Sequence, residues 1–188
     1  MKTLIEESIQ VKRRALETNT ETLNEIINVL RHALKNGNKI LLFGNGGSAA
    51  DAQHIAAEFV NRFLQNRQAL PAIALTTDTS VLTSIANDYS FENIFSRQIE
   101  AFGKNGDVAI GITTSGNSPN VIRGIIKARQ LGLKTIGFTG EHGGELRDKV
   151  DLCLCVPSHN TPRIQEMHIT AAHIICELLE KELCNETP

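Results

Sequence analysis

Residues 39–48 read Lys39-Ile-Leu-Leu-Phe-Gly-Asn-Gly-Gly-Ser48, and the chain continues Ala-Ala-Asp-Ala-Gln-His54. A short continuous apolar run, then a glycine-rich turn, then helix-forming residues is the pattern of a strand buried on both faces that feeds a crossover helix. The pattern recurs along the chain. Further apolar runs lie at Ala72–Leu75, Val108–Ile112, Lys134–Phe138 and Leu152–Val156. Helical stretches separate or follow them at 47–64, 80–87, 91–102, 118–131 and, briefly, 144–149, and a long amphipathic helix from about Arg163 to Glu182 closes the chain. Strands alternating with helices predict an α/β fold, a doubly wound five-stranded parallel sheet flanked by helices. Upstream, Leu4, Ile5 and Ile9, then Leu23, Ile26, Ile27, Leu30, Ala33 and Leu34 carry helical periodicity. The interruption at Thr18-Asn-Thr-Glu21 reads as a capping box opening a second helix, with Gly37 as its C-cap, so residues 1–36 are expected to form an N-terminal helical hairpin used in packing or oligomerisation.

The 188 residues suit one domain, expected to span 1–188. A hydrophobic content of 41% with a net charge of −2 excludes a disordered chain. That charge balance, with no Trp and 4% aromatics, argues against nucleic-acid binding. No apolar stretch approaches a membrane span, and the charged start, Met1-Lys-Thr-Leu-Ile-Glu-Glu, does not look like a secretory leader. The four cysteines lack zinc-ribbon spacing and read as free thiols of a reducing, cytoplasmic compartment.

In open parallel sheets ligands bind beyond the carboxyl ends of the strands. The loop after the first strand, Gly44-Asn45-Gly46-Gly47-Ser48-Ala49, lets backbone approach a ligand at a helix N-terminus. It meets a loose dinucleotide fingerprint, but the required acid about 20 residues on is missing, since Asp78 lies too far along. The loop after the third strand, Thr113-Thr114-Ser115-Gly116-Asn117-Ser118-Pro119, packs four hydroxyls around a glycine, with Ser118 at an N-cap and Pro119 at N1. Hydroxyls and free N–H groups there suit a phosphate monoester, and the absence of Gly-Lys-Ser/Thr excludes a Walker loop. Asp51, His54 and Glu58 share one helical face, and the last helix adds Gln165, His168 and His173. A His and a Glu four apart suit a divalent metal if that helix contributes ligands; spacing alone does not choose between His168 and His173.

In combination, Gly-Asn-Gly-Gly-Ser48, Asp51-Ala-Gln-His, Ala86-Asn-Asp, Thr114-Ser-Gly-Asn-Ser and Arg163-Ile-Gln-Glu-Met-His resemble the SIS (sugar isomerase) domain family, and within it the bacterial phosphoheptose isomerases, over essentially the whole chain. The resemblance implies an aldose–ketose isomerase that converts sedoheptulose 7-phosphate to D-glycero-D-manno-heptose 7-phosphate through an enediol. That is a step toward activated heptose for lipopolysaccharide or capsule. It implies a cytoplasmic homotetramer with sites at subunit interfaces and one zinc ion per subunit, held by His54, Glu58, Gln165 and His173. Glu58 and His173 would be catalytic. Thr113, Ser115 and Ser118, with Ser48 and Thr114, would take the phosphate. Asn45, Gly46, Gly47, Asn87, Asp88 and Gln165 would contact the sugar. Pro162 stands where some members have Asp. The alternative is a non-catalytic SIS protein, of which one bacterial type binds the replication initiator. That type lacks the counterparts of Glu58 and His173, and both are present here.

Overall fold

The computed structural model describes residues 1–184; 185–188, which end the expected domain span, lie outside the described residues. The element order is α1 (Lys2–Lys35), β1 (Ile40–Gly44), α2 (Gly47–Val60), β2 (Ala72–Ala74), α3 (Thr79–Asp88), α4 (Ile94–Phe102), β3 (Val108–Ile112), α5 (Pro119–Gln130), β4 (Lys134–Thr139), β5 (Leu152–Cys155) and α6 (Thr161–Cys184). Single 3-10 turns occupy Phe91–Asn93 and Gly144–Lys149. The sheet has five strands in the order β2-β1-β3-β4-β5. All four pairings are parallel, and β1 aligns Ile40 with Val108 and Gly44 with Ile112. Between β1 and β3 the winding reverses, which makes the mouth of these two strands the topological switch point.

Every residue of β1 and β3 is buried because both sheet faces are covered. Alternation distributes them: Ile40 and Leu42 join the core beneath α1, α2 and α6, while Leu41 and Phe43 join the core beneath α4 and α5. The two layers thus grow out of a single strand.

The N-terminal segment corrects the expected hairpin. It is one helix of 34 residues, unbroken through Thr18-Asn-Thr-Glu21. The polar residues that looked like a break satisfy themselves within the helix. Thr18 and Thr20 donate their hydroxyls to the carbonyls of Arg14 and Leu16, four residues back. Asn19, 4% exposed, faces inward and exchanges two hydrogen bonds with Cys155 of β5: its amide donates to the Cys155 carbonyl at 3.1 Å and its oxygen accepts from the Cys155 N–H at 3.2 Å. A buried polar residue with a tertiary partner replaced the cap. The helix ends where Gly37, at φ 73°, turns left-handed and Asn38 donates back to Ala33.

Elsewhere the boundaries move by a few residues. The helix expected over 47–64 stops at Val60, and the last helix runs from Thr161 rather than Arg163. Asn19→Ala leaves both Cys155 backbone groups without their partner, so it is expected to lower unfolding free energy by about 1–3 kcal/mol in urea titration; an unchanged midpoint counts against the contact.

Candidate functional site

The turn from β1 into α2 decides the site's first wall. Gly46 caps α2 with φ 55°, a left-handed conformation that a side chain disfavours. Gly47 gives room for a different reason: a Cβ there would meet the side-chain amide nitrogen of Gln165, which would have to swing away. Gln165 therefore reaches from α6 over the start of α2.

The second wall is the β3–α5 loop. Ser118 is the N-cap of α5 and Pro119 follows, but the Ser118 hydroxyl does not cap the helix. It turns instead to Thr113 Oγ1 at 2.9 Å, which also meets Ser115 Oγ at 3.3 Å. The two walls are tied by a reciprocal amide pair: Asn45 donates to Asn120 at 2.9 Å and Asn120 returns the bond at 2.8 Å. The result is a cavity of about 130 Å³ lined by Asn45, Ser48, Ile112, Thr113, Thr114, Ser115, Ser118 and Gln165. Its polar walls are hydroxyls and amides with no carboxylate, beside the first turn of α5, a lining suited to an oxyanion. Asn120, 2% exposed, was not singled out in the sequence; its only signal is a polar residue in the first turn of a helix next to the loop.

Further along α2 and α6 lies a second set. His54 Nε2 is 3.1 Å from Glu58 Oε1 and 3.5 Å from His173 Nε2, and the donor atoms of all three residues lie within 4.8 Å of one another. Two nitrogens bonded to one tetrahedral zinc stand about 3.4 Å apart, so the donors fit a small divalent cation. Phe63 covers His173 with ring centroids 5.3 Å apart. Asp51, one turn before His54, has a carboxyl raised by burial, opposed by the charge of His54. Its Oδ2 is buried without a partner among the described residues.

The structure separates the two histidines of α6. His168 is fully buried and its Nε2 meets the Thr139 carbonyl at 3.1 Å. Burial lowers its pKa to about 4, against the opposing carbonyl bond, so it is a neutral core residue. His173 faces α2 instead. Asn87 and Asp88 end α3, joined by a 2.8 Å bond, and neither lines the hydroxyl cavity. Asp88 lines a separate cleft of about 310 Å³ with Tyr89, Arg97 and Phe102. Asp78, too distant for a dinucleotide acid, caps α3 by accepting from Val81 N–H at 2.9 Å. Another group of metal-capable side chains, Glu141, His142 and His159, is exposed, and Glu141 pairs with His159 at 2.8 Å.

A parallel sheet whose switch point presents a hydroxyl-lined cavity, beside a carboxylate with two imidazoles, defines an α/β domain with a pocket suited to an oxyanion next to side chains that could hold a metal ion. Residues 4–140 match the SIS domain family. The phosphoheptose isomerase of Roseiflexus sp. is 59% identical over 182 residues, covering 97% of this chain and 92% of its own. A solved phosphoheptose isomerase from Neisseria gonorrhoeae is 43% identical with a TM-score of 0.91, covering 95% of this chain and 96% of its own. Another, from Francisella tularensis, is 36% identical with a TM-score of 0.93, covering 96% of each chain. The chain belongs to the SIS domain family, within its phosphoheptose isomerase branch. Among the described residues, no helix is long and apolar enough to cross a membrane.

The pH dependence of stability follows from His168. Its folded pKa of about 4 lies below its ordinary 6.5, so the unfolded chain binds more protons between those values and stability falls as pH drops through that window. At about 1.4 kcal/mol per pH unit the full loss over that window is of order 3 kcal/mol. Urea titrations at pH 7.5 and 5 are expected to show most of it, and His168→Gln to flatten the difference; equal pH slopes for both proteins would refute the assignment.

Proposed function

We propose that the chain interconverts sedoheptulose 7-phosphate and D-glycero-D-manno-heptose 7-phosphate. The observation that carries this reading is the placement of two chemistries on one pair of helices. Gln165 touches the hydroxyl cavity, while His173, eight residues and about 12 Å further along α6, joins His54 and Glu58. That separation is of the order of an extended heptose phosphate. Relatives at 55–59% identity that carry the phosphoheptose isomerase name support it, and nothing favours the initiator-binding alternative.

The phosphate sits against Thr113, Ser115 and Ser118, with Ser48 and Thr114 beside them. Asn45, Gly46 and Gly47 face the sugar, and Asn87 and Asp88 reach its hydroxyls where a neighbouring copy brings them to the site. Binding energy from the phosphate holds the reacting carbons against Glu58. The Glu58 carboxylate takes a proton from C1 of the open-chain ketose; the electron pair forms the C1–C2 double bond and the charge moves to the C2 oxygen. His173 relays a proton from the C1 hydroxyl to that oxygen. Electrons then return from the C1 oxygen to make the aldehyde, and protonated Glu58 delivers its proton to C2. The net change is ketose to aldose with nothing gained or lost.

His54, Glu58 and His173, with Gln165 reaching from the cavity wall as a fourth ligand, would hold a zinc ion that would supply a Lewis acid for the oxygen charge, and the Glu58 carboxylate would loosen from that ion to act as base. A homotetramer in the cytoplasm fits the same reading; the exposed apolar residues Leu4, Ile5, Ile9 and Leu16 on α1 support an assembly.

Glu58→Gln is expected to reduce turnover of sedoheptulose 7-phosphate by at least about 10³-fold with the circular-dichroism spectrum intact; near-wild-type kcat in an NMR assay removes Glu58 from the base role. Ser118→Ala is expected to raise KM several-fold with a smaller change in kcat, and a collapsed kcat at unchanged KM contradicts the phosphate assignment.

A further inference from the structure

The segment after α2 is organised around one buried carboxylate. Glu180 of α6 is 1% exposed and accepts four hydrogen bonds. Its Oε1 accepts from the Phe63 N–H at 2.9 Å and from Arg67 Nε at 3.0 Å, and its Oε2 accepts from the N–H groups of Leu64 and Gln65, both at 2.7 Å. Burial pushes this carboxyl up, but the three N–H groups and the guanidinium together hold it below the usual carboxylate range. Arg67 directs most of its remaining donors at α2. Its Nη2 donates to the Glu58 carbonyl at 2.8 Å, and its Nη1 donates to the Phe59 carbonyl at 2.9 Å and to Gln68.

The Glu58 and Phe59 carbonyls belong to the open last turn of α2, where backbone acceptors need partners and a cation complements the dipole. Glu58 is thus gripped through its main chain while its side chain faces the two imidazoles. Glu180 lies seven residues beyond His173, two turns along the same face of α6. The loop the carboxylate gathers also carries Phe63, whose ring lies on His173. Every donor of the cluster therefore rides on a helix that this ion pair holds.

A buried ion pair contributes little net stability once desolvation is counted, so its presence here asks for a reason beyond stability. We infer that Arg67 and Glu180 are positioning residues that fix α2 against α6 and so set the separation of Glu58 and His54 from His173. Neither lines the hydroxyl cavity. The inference rests on the reading of the site given above and adds the device that keeps it assembled.

The test measures zinc affinity of the full chain by competition with a chromophoric chelator, together with kcat and KM for sedoheptulose 7-phosphate and the melting temperature. Arg67→Lys keeps the charge beside Glu180 and loses the fork onto the Glu58 and Phe59 carbonyls. It is expected to weaken zinc binding about 10- to 100-fold and to lower kcat similarly, with KM unchanged because the hydroxyl loop belongs to β3 and α5. Glu180→Gln is expected to do the same; if it fails to fold, Arg67→Lys decides alone. Wild-type zinc affinity and kcat with only a lower melting temperature would assign the pair to stability and overturn the inference, as would a raised KM at wild-type kcat. A wild-type chain that binds zinc and does not isomerise would sink the functional reading, while the affinity comparison still judges the pair.

Discussion

The parallel pairing of β1 with β3 is the contact from which the rest of the structure follows. Consecutive parallel strands need a crossover, and a crossover has a fixed hand, so reversing the winding between these two strands sends α2 to one face and α5 to the other. Their loops then part at the carboxyl ends and leave a crevice between two helix N-termini. Register fixes what meets there: Gly44 aligns with Ile112, so Asn45 stands opposite the hydroxyl loop and can exchange amide bonds with Asn120. The amide pair thereby ties the two loops to each other through protein groups alone.

The two chemistries need different kinds of support. Oxyanion recognition at Thr113–Ser118 is local, because one loop and one helix start supply the hydroxyls and the N–H groups. The His54–Glu58–His173 cluster is non-local. Its members come from helices separated by more than a hundred residues of sequence, and only packing of α2 and α6 on the same sheet face brings them together. Gln165 of α6 links the two, since it lines the hydroxyl cavity from the helix that carries His173 and its amide lies over Gly47.

Much of the fold was legible because its signals are periodic. Five apolar runs became five strands, and turns rich in glycine and hydroxyl residues marked the ends that matter. The hairpin misread shows the limit. Thr18-Asn-Thr-Glu21 has the composition of a helix start, and nothing local reveals that Asn19 has a partner 136 residues away. Ser118 shows a related limit, since its position as N-cap was readable while the direction of its hydroxyl depends on Thr113 from the preceding strand end. His168 and His173 stand five residues, about 140°, apart round α6, so they face different ways, and only the packing of that helix shows which one meets the core and which one α2. Arg67 and Glu180 are invisible for the same reason: in sequence they are a loop arginine and a charge near the end of a long helix.

The Asn19 contact has a consequence for the sheet as a whole. β5 is an edge strand, and such an edge offers unpaired peptide groups to any extended chain that comes near. A side-chain amide has the donor and acceptor of a peptide group, and Asn19 presents both to Cys155 as a sixth strand would. A single residue on a helix thus stands in for the missing neighbour at the carboxyl end of β5, and an extended chain seeking to add along that edge meets its last peptide groups already occupied.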